Sequence, residues 1–208
     1  MDERLRATAE SARGFMPADE GIALYEAGLA GAEIGPLLEI GSYCGKSAVY
    51  LGAAARLKKS LVFSIDHHRG SEEHQVGEEY HDPALVDDEG RVDTLAEFRR
   101  TIAQAKLEDV VVGVVGDSAV VAREWATPLG LVFIDGGHSA QAAEADYLGW
   151  AKWVMRRGLL VIHDVFEDPK AGGRPPFEIW QRALASGVFA QRSARGSLRV
   201  LERVGDGL

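Results

Sequence analysis

Five short β-branched runs, each ending on a glycine or an acid or histidine, constrain this chain most. LLEI (37–40) runs into Gly41, LVFSI (61–65) into Asp66, and VVVGVV (110–115) into Gly116-Asp117. LGLVFI (129–134) runs into Asp135, and GLLVI (158–162) into His163-Asp164. The runs are apolar on both faces, as in strands of a parallel sheet covered on both sides. Helical patterns lie between them at 45–57, 91–106, 118–126 and 139–156, and another near 176–186 starts behind Pro175-Pro176, since proline is tolerated in a first turn. Residues 2–12 and 18–30 read as helices ahead of the sheet. VFAQR and SLRVLER, turning at Arg195-Gly196, read as two closing strands. This alternation predicts an α/β sandwich: seven strands, mostly parallel, helices on both faces, and a C-terminal antiparallel hairpin. Ligands of such sheets bind at the carboxyl ends of the strands, where these acids and histidines collect.

A length of 208 residues suits one domain, with 1–34 as N-terminal helices and 67–90 and 167–176 as loops over the site. The net charge of −9 argues against nucleic acid or an anionic membrane as partner. One cysteine, Cys44, forms no internal disulfide, which points to a reducing cytoplasm. No apolar run is long enough to cross a bilayer, and the charged N-terminus lacks a signal-peptide core.

The turn LEIGSYCGKSAVYL leads from the first strand into a helix. Gly41 and Gly45 allow a tight turn and close approach to a ligand at a helix N-terminus. A phosphate loop needs one more residue between these glycines, and Tyr43 stands where a dinucleotide fingerprint has its second glycine. Cys44 reads as a small packing residue and Lys46 as a solvated side chain at the helix start.

LEIGSYCGKS resembles the first motif of class I S-adenosylmethionine-dependent methyltransferases, whose fold is Rossmann-like. The resemblance implies a cofactor site of Glu39, Gly41, Ser42, Tyr43, Gly45, Ser47, Asp66, His67, Asp117, Ser118 and Asp135. Asp66 takes the place of the ribose-binding carboxylate, and Gly116-Asp117-Ser118 that of the adenine-contacting turn. FIDGGHSAQAAEADYLGWAKWVMRRGLLVIHDVF is similar to the distal half of a small metal-assisted O-methyltransferase subfamily related to sugar O-methyltransferases of the macrocin type. That resemblance runs from about residue 36 to 186 and departs at Arg157-Gly158, where a Gly-Gly pair is common.

The residue types fit the implied chemistry. An alcohol is a poor nucleophile at neutral pH, and a divalent cation lowers the pKa of a bound hydroxyl by several units. Asp135 and Asp164 end neighbouring strands and offer the hard oxygens that Mg²⁺ prefers. His163 is a candidate third ligand, better suited to Mn²⁺, at a position where related enzymes have an acid. His138, three residues after Asp135, is the candidate general base, beside Asp135 as the other catalytic residue. The [ND]-P-P-[YF] signature of many amine methylases is absent after the fourth strand, which reads Asp135-Gly136-Gly137-His138; Arg174-Pro175-Pro176-Phe177 reads as a helix entry. The acceptor is therefore expected to be oxygen.

Residues 67–90 are long for a strand-to-helix connection and hold four of the six histidines, His67, His68, His74 and His81. They also hold eight acids and one arginine, a net −7, so the remainder of the chain is close to neutral. Such a loop repels a phosphate-rich acceptor and suits an uncharged hydroxylated one, with Tyr80 as one contact. The resemblance makes a sugar or small oligosaccharide the first acceptor class and a homodimer the expected assembly. Two other readings stand: an NAD(P)-binding oxidoreductase on the same fold, and a cofactor-binding protein without activity.

Overall fold

In the computed structural model of this protein, which describes residues 1–75, 77–78, 81–137 and 139–207, the seven runs form one twisted sheet. β1 (Leu37–Ile40) lies between β2 (Val62–Asp66) and β4 (Leu129–Ile134), parallel to both. β3 (Val111–Val115) extends the sheet beyond β2, and β5 (Val154–Ile162) extends it beyond β4. β6 (Phe189–Arg195) and β7 (Leu198–Arg203) close it as an antiparallel hairpin, giving the order β3-β2-β1-β4-β5-β7-β6.

Among the described residues seven α-helices accompany the strands: α1 (Glu3–Ser11), α2 (Ala18–Ala32), α3 (Lys46–Lys58), α4 (Leu95–Ala105), α5 (Ser118–Ala122), α6 (Ala140–Trp150) and α7 (Pro175–Ala185). Because strand side chains alternate between faces, β1 sends Leu37 into one core and Leu38 into another. The first core holds Leu24, Val49, Leu51, Phe98 and Ile102, from α2, α3 and α4. The second holds Tyr147, Trp150, Phe177 and Ile179, from α6 and α7. No helix among the described residues is long and apolar enough to cross a membrane.

Three local features depart from the sequence reading. The helix expected over 139–156 stops at Trp150, a 3₁₀ turn covers Ala151–Trp153, and β5 starts at Val154 rather than 158. Val154 pairs with Leu129, and the register shifts before Leu159 pairs with Leu131, with Arg157 in the left-handed region at φ 66. β3 is an edge strand, with Val112 and Val115 exposed, so it is not covered on both sides. Lys46 is not a free solvated side chain either. Its Nζ donates to the carbonyl oxygens of Glu10 (3.2 Å) and Ala12 (3.1 Å), tying the start of α3 to the end of α1. Cys44 is fully buried, and burial pushes its thiol up to about 12, which leaves it an inert packing residue.

Candidate functional site

A cavity of about 810 Å³ opens at the carboxyl ends of the parallel strands. It lies where the strand order reverses, between β1 and β4, the position at which open α/β sheets bind ligands. Gly41 makes this crossing possible. Its φ is +85, and a Cβ there would lie 2.1 Å from the carbonyl oxygen of Asp135, so only glycine lets the β1 and β4 ends approach so closely.

Gly41, Ser42, Tyr43, Ser47, Asp66, His67, Asp117, Ser118, Asp135, His163 and Asp164 all border this cavity. Glu39 and Gly45 do not. Gly45, at φ +90, is the residue from which α3 starts. Glu39 is fully buried beneath the turn, its Oε1 accepting from Ser64 Oγ at 2.5 Å. His138, the candidate base, and Tyr80, the loop contact, lie outside the described residues.

Burial pushes the Glu39 carboxyl up to about 8, against the downward pull of the Ser64 and Ser47 hydroxyls. Folding therefore favours its protonated form, and the stability this gives is present below about pH 4.5, the ordinary value, and lost as pH rises through about 8. Glu39→Gln removes the titration while keeping the shape. Relative to wild type the variant should gain, between pH 5 and pH 8.5, on the order of 4 kcal/mol. Urea denaturation of both proteins at the two pH values measures this, and parallel stability curves would refute it.

Asp66 is held at the end of β2 by two backbone donors. The N–H of Tyr43 reaches its Oδ2 at 2.8 Å and that of His68 reaches Oδ1 at 2.7 Å. Both donors sit in the left-handed region, at φ 44 and φ 57, an uncommon conformation for bulky residues that the surrounding packing maintains. Each carboxylate oxygen keeps acceptor capacity for a ligand hydroxyl. Ser42 Oγ is buried with no hydrogen-bond partner among the described residues. Asp117 turns its side chain onto the N–H of Val120 (2.9 Å) and so caps α5.

Asp135, His163 and Asp164 offer ligand atoms that all lie within 4.8 Å of one another. His163 uses both ring nitrogens within the protein. Nδ1 contacts Asp135 Oδ1 at 2.9 Å and, more distantly, Asp164 Oδ2 at 3.5 Å, while Nε2 meets Glu20 Oε2 at 2.6 Å. Burial pushes the imidazole pKa down, but the surrounding carboxylates, Asp135 first, raise it far above its ordinary value. His163 is thus a buried cation clamped between Glu20 and Asp135. With Asp135 and Asp164 it is also one of the three groups placed to hold a metal ion, as the sequence suggested. Asp164 adopts φ 55, a conformation that Asp and Asn tolerate better than other side chains.

Two residues of this site had no part in the sequence reading. Glu20 lies in an amphipathic helix pattern, and no motif marks it. Asp146 lies in the acidic stretch that follows Asp135, but its spacing gives no sign that it reaches the cavity.

At the rim, Tyr43 stacks on His74 with ring centroids 4.9 Å apart, and Phe15 lies 5.9 Å from Tyr43. The loop after β2 is folded in its described parts. It contains 3₁₀ turns at Glu72–His74 and Pro83–Leu85, a bridge between Val86 and Val92, and ion pairs from Arg69 to Asp87 (3.0 Å) and Asp93 (3.3 Å). Arg13 pairs with Asp82 and ties this loop to the segment between α1 and α2.

A family model described as a methyltransferase domain matches residues 38–165. Solved structures with the same fold include the O-methyltransferase NovP, at 14% identity and a TM-score of 0.71, covering 98% of this chain and 89% of that one. The O-methyltransferase TomG from Streptomyces achromogenes, involved in tomaymycin synthesis and solved with S-adenosylmethionine, is 16% identical, with a TM-score of 0.65 and coverage of 99% and 91%. An O-methyltransferase from Bacillus cereus, solved with S-adenosylhomocysteine, is 16% identical, with a TM-score of 0.64 and coverage of 99% and 92%.

Proposed function

The chain belongs to the methyltransferase-domain family, and from that premise we propose that it carries a methyl group from S-adenosylmethionine to a hydroxyl of a small uncharged acceptor, a sugar or oligosaccharide first. The observation that carries this reading is Asp66. A carboxylate braced by two backbone N–H groups at the end of β2 is preorganised for the two hydroxyls of a ribose. Ser42, with its unpartnered buried hydroxyl, and the glycine turn suit the amino-acid part beside it. The cavity wall from Asp135 to Asp164 lies at the other side of the β1–β4 crossing, where the methyl acceptor belongs.

The two carboxylates of Asp135 and Asp164 fit a hard divalent cation, Mg²⁺ first and Mn²⁺ second. Such an ion, held by these two acids, supplies a lowered pKa to an acceptor hydroxyl. His163, in contact with Asp135, is the third candidate ligand and otherwise orients that acid. His138 is the assigned base. As the acceptor oxygen forms its bond to the methyl carbon, the carbon–sulfur bond breaks, S-adenosylhomocysteine leaves, and the hydroxyl proton passes to that base. Glu72, Glu78, His67 and His74 border the cavity and offer polar contacts to a hydroxylated acceptor. The solved relatives named as O-methyltransferases favour oxygen as the acceptor atom. The reading also includes a homodimer in a reducing cytoplasm, where the lone buried thiol of Cys44 stays unpaired.

Isothermal titration with S-adenosylhomocysteine tests the cofactor assignment. The wild-type protein should bind, and Asp66→Ala should bind at least about tenfold more weakly, the loss expected when hydrogen bonds to a charged group are removed. Binding of NADH in place of S-adenosylhomocysteine would replace this reading with the oxidoreductase one.

A further inference from the structure

Of the histidines in the 67–90 segment, His67 and His74 border the cavity and His68 does not. His68 is 2% exposed and stands at φ 57, two residues past Asp66. Its Nδ1 lies 2.8 Å from Thr94 Oγ1, and the N–H of Thr94 donates to the carbonyl oxygen of His68 at 3.2 Å. The two residues are 26 positions apart, one where the chain leaves β2 and the other where it enters α4. Their double contact therefore closes the intervening loop at its base. The ring of Phe98 packs against the imidazole, with centroids 5.3 Å apart.

Thr94 shows what this contact displaces. It occupies the N-cap position of α4, where a threonine hydroxyl ordinarily accepts from an N–H of the first turn. Here the hydroxyl makes no such bond, and Asp93 Oδ1 accepts from the Leu95 N–H at 3.0 Å instead. The Thr94 side chain is committed to His68. Burial lowers the imidazole pKa, against the upward pull of Asp66 and Asp93, so the ring is folded neutral at pH 7. With Nδ1 accepting from the Thr94 hydroxyl, the ring proton belongs on Nε2. Nε2 is buried without a partner at full hydrogen-bond geometry among the described residues, and the backbone acceptor that acts on the ring is Tyr43.

On the function proposed above, we infer that His68 is a positioning residue: its ring, set between the Thr94 hydroxyl and the Tyr43 backbone, fixes the two N–H groups that aim the Asp66 carboxylate at a ribose. Both donors meet at this one side chain. The first is the N–H of His68 itself, on Asp66 Oδ1, and the second is that of Tyr43, on Oδ2. Each belongs to a residue in the left-handed region, a conformation that a bulky residue keeps only where its surroundings impose it. Loss of the ring lets both segments of backbone relax and frees the carboxylate to turn, while the carboxylate itself stays in place. A pair of hydroxyls gains most from acceptor oxygens that are already directed at it.

The test compares S-adenosylhomocysteine with its 2′,3′-dideoxy analogue, which lacks both ribose hydroxyls, by isothermal titration. Wild-type protein should prefer the ribose ligand by at least about tenfold. His68→Asn keeps a residue that tolerates φ 57 but is too short to span the two contacts. There the preference should fall below about threefold, through a loss for S-adenosylhomocysteine, while affinity for the dideoxy ligand stays within about twofold. Thr94→Val, which removes only a hydroxyl, should fall between the two, and it carries the test if His68→Asn does not fold. In an Asp66→Ala background, His68→Asn should change S-adenosylhomocysteine affinity by less than about twofold, because the group it acts through is gone. Equal weakening of both ligands would mean a merely structural role and overturns this inference alone. An undiminished ribose preference in the folded variants does the same. Wild-type protein that binds both ligands equally removes Asp66 from the ribose, and wild-type protein that binds neither overturns the methyltransferase reading. The role of His68 falls with either.

Discussion

Asp164→Asn should lower turnover by at least about 100-fold, the scale seen when an electrostatic contact to a reacting oxygen is removed, while affinity for S-adenosylhomocysteine stays within about threefold. The substitution isolates charge from shape. Asp164 stands at φ 55, and asparagine is among the few residues that accept that conformation, so the backbone after β5 should keep its course. What disappears is one of the two carboxylates of the proposed cation site at Asp135 and Asp164. The direct measurement is Mn²⁺ binding by electron paramagnetic resonance, which requires no acceptor, and it should weaken at least about tenfold. Turnover is then read as S-adenosylhomocysteine release with an acceptor found in a panel of free and glycosidic sugars. Unchanged Mn²⁺ affinity together with normal turnover would remove Asp164 from the proposed ligand set, and absence of Mn²⁺ binding to the wild-type protein would remove the ion itself and leave acceptor activation to His138.

The strand ends show why some of this architecture is legible in the sequence and some is not. Leu37–Ile40, Leu129–Ile134 and the runs around them are short and apolar and stop at a glycine or at an acid or histidine, so both the strands and their functional edge can be read locally. The boundary between α6 and β5 is different. Trp150, Ala151 and Val154 are buried whether the segment is helix or strand, so their hydrophobicity carries no information about which it is. Its conformation is set by the pairing of Val154 with Leu129, a contact distant in sequence. β3 is as apolar as its neighbours, yet it lies at the edge of the sheet, because strand order depends on crossovers that no single run encodes.

The site divides in the same way. Gly41 and Asp135 follow their strands directly, Asp66 ends β2 and Asp164 stands two residues past β5, so strand direction carries them to the cavity. Glu39 stands one residue before the end of β1 and is fully buried, while its neighbour Ile40, on the opposite face by strand alternation, borders the cavity. The charge of the 67–90 segment is a further case. Counted along the chain it is strongly acidic, but Arg69 pairs with Asp87 and Asp93, Arg91 with Asp87 and Glu89, and Arg13 with Asp82. Much of the acidity is used to fold the loop and to hold it against the N-terminal segment. Among the described acids of this loop, Glu72 and Glu78 border the cavity.

Glu20→Ala should destabilise the protein by roughly 3 kcal/mol, the cost of leaving a buried ionic partner uncompensated, although the residue lies 115 positions before Asp135 in the sequence. Glu20 is 4% exposed and binds on two sides. Oε2 meets His163 Nε2 at 2.6 Å and accepts from Ser197 Oγ at 3.2 Å, and Oε1 accepts from the Ser197 N–H at 2.5 Å. The hairpin is shaped to receive it: Gly196 turns at φ +51, and a Cβ there would lie 2.0 Å from Glu20 Oε1. Burial alone would raise the Glu20 pKa, but the bonds from His163 and Ser197 outweigh it and hold it below the ordinary carboxylate value, so the residue is folded as an anion. Truncation leaves the His163 cation dependent on Asp135 and Asp164, and leaves the Ser197 N–H without its acceptor. Glu20→Gln keeps the acceptor for Ser197 and most of the packing, so it should cost less than the alanine variant while still releasing one side of the His163 clamp. Both variants should reduce turnover more than cofactor affinity, because His163 fixes the Oδ1 of Asp135 at 2.9 Å and the cofactor assignment rests mainly on Asp66. Urea denaturation at pH 7 gives the stability ranking, and titration with S-adenosylhomocysteine gives the affinity. An alanine variant within about 1 kcal/mol of wild type would fall in the range of ordinary surface ion pairs and would mean that the chain from Ser197 through Glu20 and His163 to Asp135 does not act as one unit.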